Sequence, residues 1–352
     1  MHRAVAPVAV EWDALADRRG AGPFLRPGWI DAWWRAFGTG RLEIVTLRRA
    51  ARLAAVIPLH RRRGRVWSTS NWHSNQFGIL AEDEAAAFEL AAALFRDRPV
   101  QVSLGFVDAG GLAPCRAAAA EAGYRVLEWA LERSPYVVVE GTWDDYARQR
   151  LSKNRRRQLR RCRGRLEREG RLELDIENGG ERMEDVVEEF FRIEASGWKG
   201  AKGTAILSHP ETQSFYREVA KWAAARGWLR IAFLRLDGNP LAAQYLIEEG
   251  NVLYMLKGGY DPRFEDSSPG MVLLEALFRH TFSTRVRRLE LLGGDEMYKL
   301  TFTKTTEEFV RFQAFAPSRG YAHWLAFAYG RPLAKRALAL LAHRSEDGAS
   351  GG

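Results

Sequence analysis

Gly294-Asp295-Glu296-Met297-Tyr298-Lys299 places two carboxylates, a phenol and an amine directly after an apolar run that ends at Leu292. Carboxylates can take a proton, and an ammonium or a phenol can polarise a carbonyl or protonate a leaving group. Asp295 and Glu296 are the candidate bases, while Lys299 and Tyr298 are placed to polarise a carbonyl or to protonate a leaving group. The same two acids would equally cap the short helix that follows them. Glu194, Trp198 and Lys199 close a helical stretch, and Gln244 and Tyr254 belong to central strands that could line a cleft. Strict alternation puts Tyr254 and Leu256 on one face of their strand and Lys257 on the other. His73 stands in an irregular polar and aromatic loop, residues 68–77, and is read either as a structural histidine or as a base.

These groups need a frame, and residues 252–304 supply one. An apolar run at 252–256 reads as a buried strand. A helix then starts at Ser268-Pro269-Gly270, with Ser at the N-cap and Pro in the first turn. Leu273, Leu274, Leu277, Phe278 and Thr281 share one helical face, and a strand at 288–292 follows. A helix N-terminus offers unpaired N–H groups and a positive dipole end, which suits a phosphate. Small residues in the entry loop allow close approach to the backbone. Neither GxxxxGK[ST] nor GxGxxG is present. Upstream, residues 148–168 hold eleven Lys or Arg against one acid, Glu167. Leu151, Leu159, Cys162 and Leu166 recur at helical spacing, which predicts one helix with a narrow apolar seam. Its basic face is either simply solvated or a phosphate-binding surface, with Arg155 and Arg156 as candidates.

Taken together, Ser196-Gly197-Trp198-Lys199-Gly200, Asp237-Gly238-Asn239-Pro240, Tyr260-Asp261, Ser268-Pro269-Gly270 and the 294–299 run resemble the GNAT-type acyltransferases. More narrowly, they resemble the CelD/BcsL group associated with cellulose and exopolysaccharide biosynthesis, distantly similar to FemAB-like aminoacyltransferases. The resemblance implies a GNAT fold and direct transfer without a covalent enzyme intermediate. It implies acyl-CoA, in the first instance acetyl-CoA, as co-substrate near Lys257, Ser267, Ser268, Gly270 and Met271. The acceptor it implies is an amine or hydroxyl of a cell-envelope sugar or precursor. A FemAB-like transferase using aminoacyl-tRNA on a lipid-linked precursor stays open, as does a non-catalytic partner of a polysaccharide synthase.

Composition sets the outer limits. A chain of 352 residues with 46% hydrophobic and 11% aromatic residues can bury real cores. Two distant cysteines, Cys115 and Cys162, fit neither a disulfide framework nor a zinc site, and no metal is expected. A net charge of +9 favours anionic partners. Residues 44–67 and 231–255 read as the same three strands joined by tight turns, a weak internal duplication. The expected fold is α/β (α+β) with tandem GNAT-like domains, each a mixed, mostly antiparallel sheet flanked by helices.

The expected divisions are a degenerate first domain (1–141), a basic connector (142–178), a second domain with the acyl-CoA site (179–316), and a C-terminal helical segment and tail (317–352). The 24–38 helix carries Trp29, Trp33, Trp34 and Phe37, read as core or as an aromatic wall of an acceptor cleft. Residues 321–342 are expected to pack on the domain or to rest on an anionic membrane, and 345–352 to be disordered. A cytoplasmic location, peripheral to the inner membrane if associated with it, is the corresponding expectation.

Overall fold

Two antiparallel meanders, one in each half of the chain, set the architecture. The computed structural model describes residues 1–317 and 320–325. The expectations for 326–342 and for the 345–352 tail therefore fall outside the described residues. The first half runs α1 (Ala9–Arg19), α2 (Pro27–Phe37), β1 (Arg41–Arg49), β2 (Arg52–Arg62), β3 (Arg65–Ser68), β4 (Leu80–Ala81), α3 (Glu84–Phe95), β5 (Gln101–Asp108), α4 (Ala113–Glu121) and β6 (Arg125–Val138). Helices α5 (Trp143–Arg150) and α6 (Lys153–Glu169) lead on. The second half runs β7 (Leu172–Glu177), α7 (Met183–Ser196), α8 (Trp198–Ala201), α9 (Pro210–Ala225), β8 (Leu229–Leu236), β9 (Asn239–Glu249) and β10 (Val252–Tyr260). It ends with α10 (Pro269–Thr281), β11 (Arg288–Glu290), α11 (Met297–Leu300), β12 (Thr306–Phe315) and α12 (Tyr321–Leu325).

The halves follow one plan. Each has three antiparallel strands, then a crossover helix, then a strand parallel to the third. β3 meets β5 at Arg65↔Gln101, Val66↔Val102 and Trp67↔Ser103, and β10 meets β11 at Val252↔Arg288, Leu253↔Leu289 and Tyr254↔Glu290. A parallel return needs such a crossover, and α3 and α10 provide it. In both halves pairing ends after those residues and the two strands part. The mixed α/β, mostly antiparallel architecture is the one expected.

The two units also share strands. The sheet order is β1-β2-β3-β5-β12-β6-β11-β10-β9-β8-β7, so β12 lies between β5 and β6. β6 pairs with β12 along most of its length and with β11 through Tyr136–Val138. Two short strands near Val126 and Val137 are thus one long strand crossing from one unit to the other. β7 and β12 carry no strong apolar alternation, and neither was legible as a strand. The basic stretch is two helices rather than one. Leu151 is extended, and the Ser152 hydroxyl accepts from the Arg155 amide at 3.2 Å, which starts α6 afresh.

One core joins the halves. Trp12, Phe24 and Trp29 pack with Phe190, Phe191, Phe215, Tyr216 and Tyr245, all almost fully buried. Trp29 and Trp33 of α2 are buried, while Trp34 and Phe37 are half-buried. Fully burying one large apolar side chain is worth about 1.5–3 kcal/mol, so this stripe anchors the two units against each other. Arg26 adds a buried ionic clasp between Asp17 (2.7 Å), Asp13 (3.3 Å) and Glu249 of β9. Among the described residues no helix is long and apolar enough to cross a membrane.

Candidate active site

A bulge in β10 decides where Lys257 points. Met255 pairs with Leu246 and Lys257 with Tyr245, leaving Leu256 as the extra residue. Paired residues face the same side of a sheet, so Lys257 joins Tyr254, whose partner Ile247 lies in the same core as Tyr245. The alternation expected from sequence put Lys257 on the opposite face, and one inserted residue reverses it. Gly259 then lets α7 close down on the strand, and Gly258 leaves room for Gln244 on the other face. A Cβ at Gly259 would lie 2.5 Å from the Glu194 Cα, and one at Gly258 would lie 2.2 Å from the Gln244 Oε1.

The α7 terminus packed there carries the second set of charges. Lys199 donates to the Gly258 carbonyl at 2.6 Å and pairs with Glu194 at 3.1 Å. Glu194 is 2% exposed, and its other oxygen accepts the Ile206 amide at 2.9 Å. The Ser196 hydroxyl donates to the Tyr260 carbonyl at 3.1 Å. The Ser-Gly-Trp-Lys-Gly stretch is thus tied to β10 along its length. Trp198 opens α8, and its side chain lies outside the described residues.

Lys299 enters from the β11 side as a brace. Its ammonium donates to the carbonyls of Leu292 and Gly294 (3.2 Å) and pairs with Glu296 at 2.7 Å. An ammonium has three protons, and all three are taken. They hold a turn in which Leu292 and Gly293 both have left-handed φ, 48° and 63°. Asp295 is exposed, 3.8 Å from Arg133, and Tyr298 is half exposed. Desolvation, then the Glu296 charge, raise the Tyr298 hydroxyl above its ordinary range, so it remains a proton donor at neutral pH.

The first half adds groups that sequence reasoning missed. Glu132 of β6 is buried and accepts from the Asn75 amide at 2.7 Å. Burial raises its pKa, the Asn75 bond and the charges of Lys299 and Lys257 lower it, and Glu296 raises it. No motif marks Glu132. Only the inward phase of a strand paired on both sides reveals it. His73 stacks on Phe37 (centroids 5.5 Å apart, 5° between planes), with Nδ1 3.4 Å from the Tyr216 hydroxyl. Burial, with the nearby charges of Lys257 and His209, drives its pKa down to about 3. The ring is neutral at pH 7 and packed between Phe37 and Tyr216.

Lys257 sits in the middle of these groups. Packing strips water from its amine, and Lys199 and Lys299 repel its charge more than Glu194 and Glu132 compensate, lowering its pKa to about 8. Among the described residues it has no hydrogen-bond or ion-pair partner. It lies past the last β10–β11 pair, where β10 continues and β11 turns away. A charged amine and a buried carboxylate therefore lie close enough to influence each other where β10 and β11 part, and Tyr298 lies against Lys299.

A second feature lies at the start of α10. Ser268 holds the expected N-cap position with Pro269 in the first turn, but it adopts left-handed φ (47°) and its hydroxyl caps no amide. A cavity of about 450 Å³ there is lined by Ser268, Asp266, Arg157, Arg161, Arg165 and Cys162. Arg165 donates to the Asp266 carbonyl at 2.9 Å, docking α6 on the turn. The expected Arg155 and Arg156 do not line the cavity. Arg155 binds Gln158 (2.8 Å), and the Arg156 Nε is buried without a partner. Ser267 is buried, Gly270 faces the Tyr260 ring, and Met271 packs into the core under α10. Tyr254 is 7% exposed against Phe24, in core rather than cleft. Among the described residues no group of three or more His, Cys, Asp or Glu is placed to hold a metal ion.

Comparison with known proteins adds to this geometry. Residues 153–300, from α6 to α11, match the family described as acetyltransferase (GNAT) domain. The second half of the chain carries a GNAT acetyltransferase domain. The chain is accordingly a transferase of acyl groups. Solved structures extend the likeness beyond that domain. FemX aligns with 92% of this chain and 98% of its own at TM-score 0.59 and 10% identity. The C-terminal domain (DUF2156) of a protein described as a lysylphosphatidylglycerol synthetase, from Agrobacterium fabrum, aligns with 92% and 96% at 0.57 and 13%. L-PGS from Bacillus licheniformis aligns with 88% and 92% at 0.54 and 14%. At such identities the likeness is one of fold. No curated protein matches the sequence significantly.

Proposed function

We propose that the GNAT domain transfers an acyl group, acetyl in the first instance, from acyl-CoA to an amine or hydroxyl of a cell-envelope or exopolysaccharide sugar or its precursor. Lys257 carries this reading: a half-buried amine without a hydrogen-bond or ion-pair partner among the described residues, placed where β10 and β11 part, has no structural duty. At pH 7 a group with a pKa near 8 is mostly charged. It polarises the donor carbonyl and stabilises the oxyanion of the tetrahedral intermediate. Glu132, made more basic by burial, takes the acceptor's proton as the new bond forms. Tyr298 protonates the leaving group as the intermediate collapses. Glu194 and Lys199 position β10, and Lys299 and Glu296 hold the β11 turn.

The donor's phosphates belong at the α10 start, against Arg157, Arg161 and Arg165. The first unit supplies Glu132 and Asn75 and binds the acceptor. A second donor, aminoacyl-tRNA, fits the same site chemistry, since an ester carbonyl needs the same polarisation. The basic face of α6 continues well beyond the cavity, and the FemAB-like resemblance points the same way. An anionic membrane surface or polysaccharide-synthesis machinery remains the partner class, and the cytoplasmic face of the inner membrane the location.

A thermal-shift titration with acetyl-CoA, longer acyl-CoAs, free CoA and aminoacyl-tRNA tests the donor. A ligand bound only by the native state raises Tm with concentration. A saturable rise with an acyl-CoA supports the first reading. A rise with aminoacyl-tRNA alone replaces it with the second.

A further inference from the structure

The opening between β10 and β11 has a counterpart in the first half. β3 and β5 part after Trp67↔Ser103, and a cavity of about 400 Å³ lies beside that point. This volume falls within the range of about 300–1,000 Å³ of small-molecule pockets. Trp33, Phe37, His60 and Trp67 line it, with serine hydroxyls and the guanidinium groups of Arg62 and Arg311. No acidic residue is among the lining residues. His60 stacks on Trp67 (5.5 Å, 24°) and lies 5.9 Å from Trp33, making a continuous aromatic wall. The Trp33 Nε1 is buried with no hydrogen-bond partner, a donor awaiting an acceptor.

This opening is unsuited to the donor. The helix that follows it, α3, begins with Asp83, whose carboxylate accepts the Ala86 amide at 2.7 Å. Glu82, Glu84 and Glu89 surround that N-terminus. The Asp83 carboxylate already occupies that N-terminus, and Glu82, Asp83 and Glu89 are paired with Arg49 and Arg52, so neither a free amide cradle nor an open arginine cluster is offered to a polyphosphate there. What remains is a cationic, ring-lined cavity without a pyrophosphate anchor. It also communicates with the reaction centre, because Phe37 stacks on His73 and His73 feels the charge of Lys257.

We propose that this cavity binds a phosphorylated ring, a sugar phosphate or a nucleotide, as the anionic handle of the acceptor. The ring packs against Trp67, Arg62 meets the phosphate, and the remainder of the acceptor extends past Phe37 and His73 toward Lys257. This assignment rests on the acyl-transfer reading of the cleft for its purpose. Its binding test does not depend on turnover.

The full-length protein is titrated by calorimetry with glucose 1-phosphate, uridine monophosphate, inorganic phosphate, glucose and uridine. At least one ring phosphate should bind saturably, and at least tenfold more tightly than inorganic phosphate or the matching unphosphorylated ring. Arg62→Ala, at an exposed side chain, and Trp67→Leu, at a half-buried one, should each weaken it at least tenfold. Preference for the sugar or for the nucleotide identifies the source. Inorganic phosphate binding as tightly as either ring phosphate, absence of ring-phosphate binding, or affinities unchanged in both variants would overturn the assignment. Arg157→Ala/Arg161→Ala separates the two readings: it should abolish acetyl-CoA binding and leave ring-phosphate affinity unchanged. Ring-phosphate binding without any donor binding retains this site and removes the acyl-CoA reading. Donor binding without it does the reverse.

Discussion

Replacing Lys257 by Met should make the protein more stable and far less active. Methionine keeps most of the stem volume and removes the charge. The native environment lowers the lysine pKa from 10.5 to about 8, first by desolvation and then by Lys199. Such a displacement corresponds to about 3 kcal/mol against the charged form. The sign follows from linkage: the unfolded chain binds this proton more tightly than the native state. The penalty is complete below pH 8 and fades as pH rises toward 10.5. Lys257→Met should therefore gain about 2–3 kcal/mol at pH 7 in urea unfolding, falling to roughly half by pH 9.5. Loss of a transition-state donor should meanwhile lower kcat by about 10²–10³. Thiol release from acetyl-CoA, read with a thiol reagent in the presence of an amine panel, measures the second effect. A variant that is destabilised at pH 7, or one that turns over at the wild-type rate, refutes the assignment of Lys257 as a half-buried, functionally retained amine.

Three further outcomes follow from the same geometry. The kcat/KM profile should be bell-shaped, with a basic limb near pH 8 as Lys257 loses its proton and an acidic limb above the ordinary carboxylate pKa as Glu132 is protonated. A rate that rises through pH 8 would make Lys257 the base instead. Glu132→Gln should remove the acidic limb and lower kcat by about 10²-fold or more with little change in donor KM, as read by the same thiol assay. Gly259→Ala should destabilise the fold by about 1–3 kcal/mol in urea unfolding, because its Cβ would sit 2.5 Å from the Glu194 Cα. Unchanged stability there would mean that α7 is free to move.

The local patterns of the chain already determined much. Helical spacing placed α10, and apolar runs bounded by turns placed β1 to β3 and β8 to β10 within a few residues. The duplication was legible because both meanders present the same short-range signal, and Glu194, Lys199, Lys257 and Lys299 were singled out from neighbouring motifs. The tertiary structure decided their duties. Lys299 was taken for a reacting group, but it spends its protons on a strained turn. Arg157, Arg161 and Arg165 line the cavity at the α10 start, with Arg155 beside it through Gln158, an arrangement that depends on how α6 docks on that turn. The bulge at Leu256 turned Lys257 to the α7 face. Glu132 and Asn75 entered from the other unit, brought there by strand exchange between β6 and β12. Propensity and periodicity act over a few residues and are written into adjacent positions. Which distant charges share one desolvated opening depends on strand register, helix phase and sheet order, and these are set only when the whole core packs.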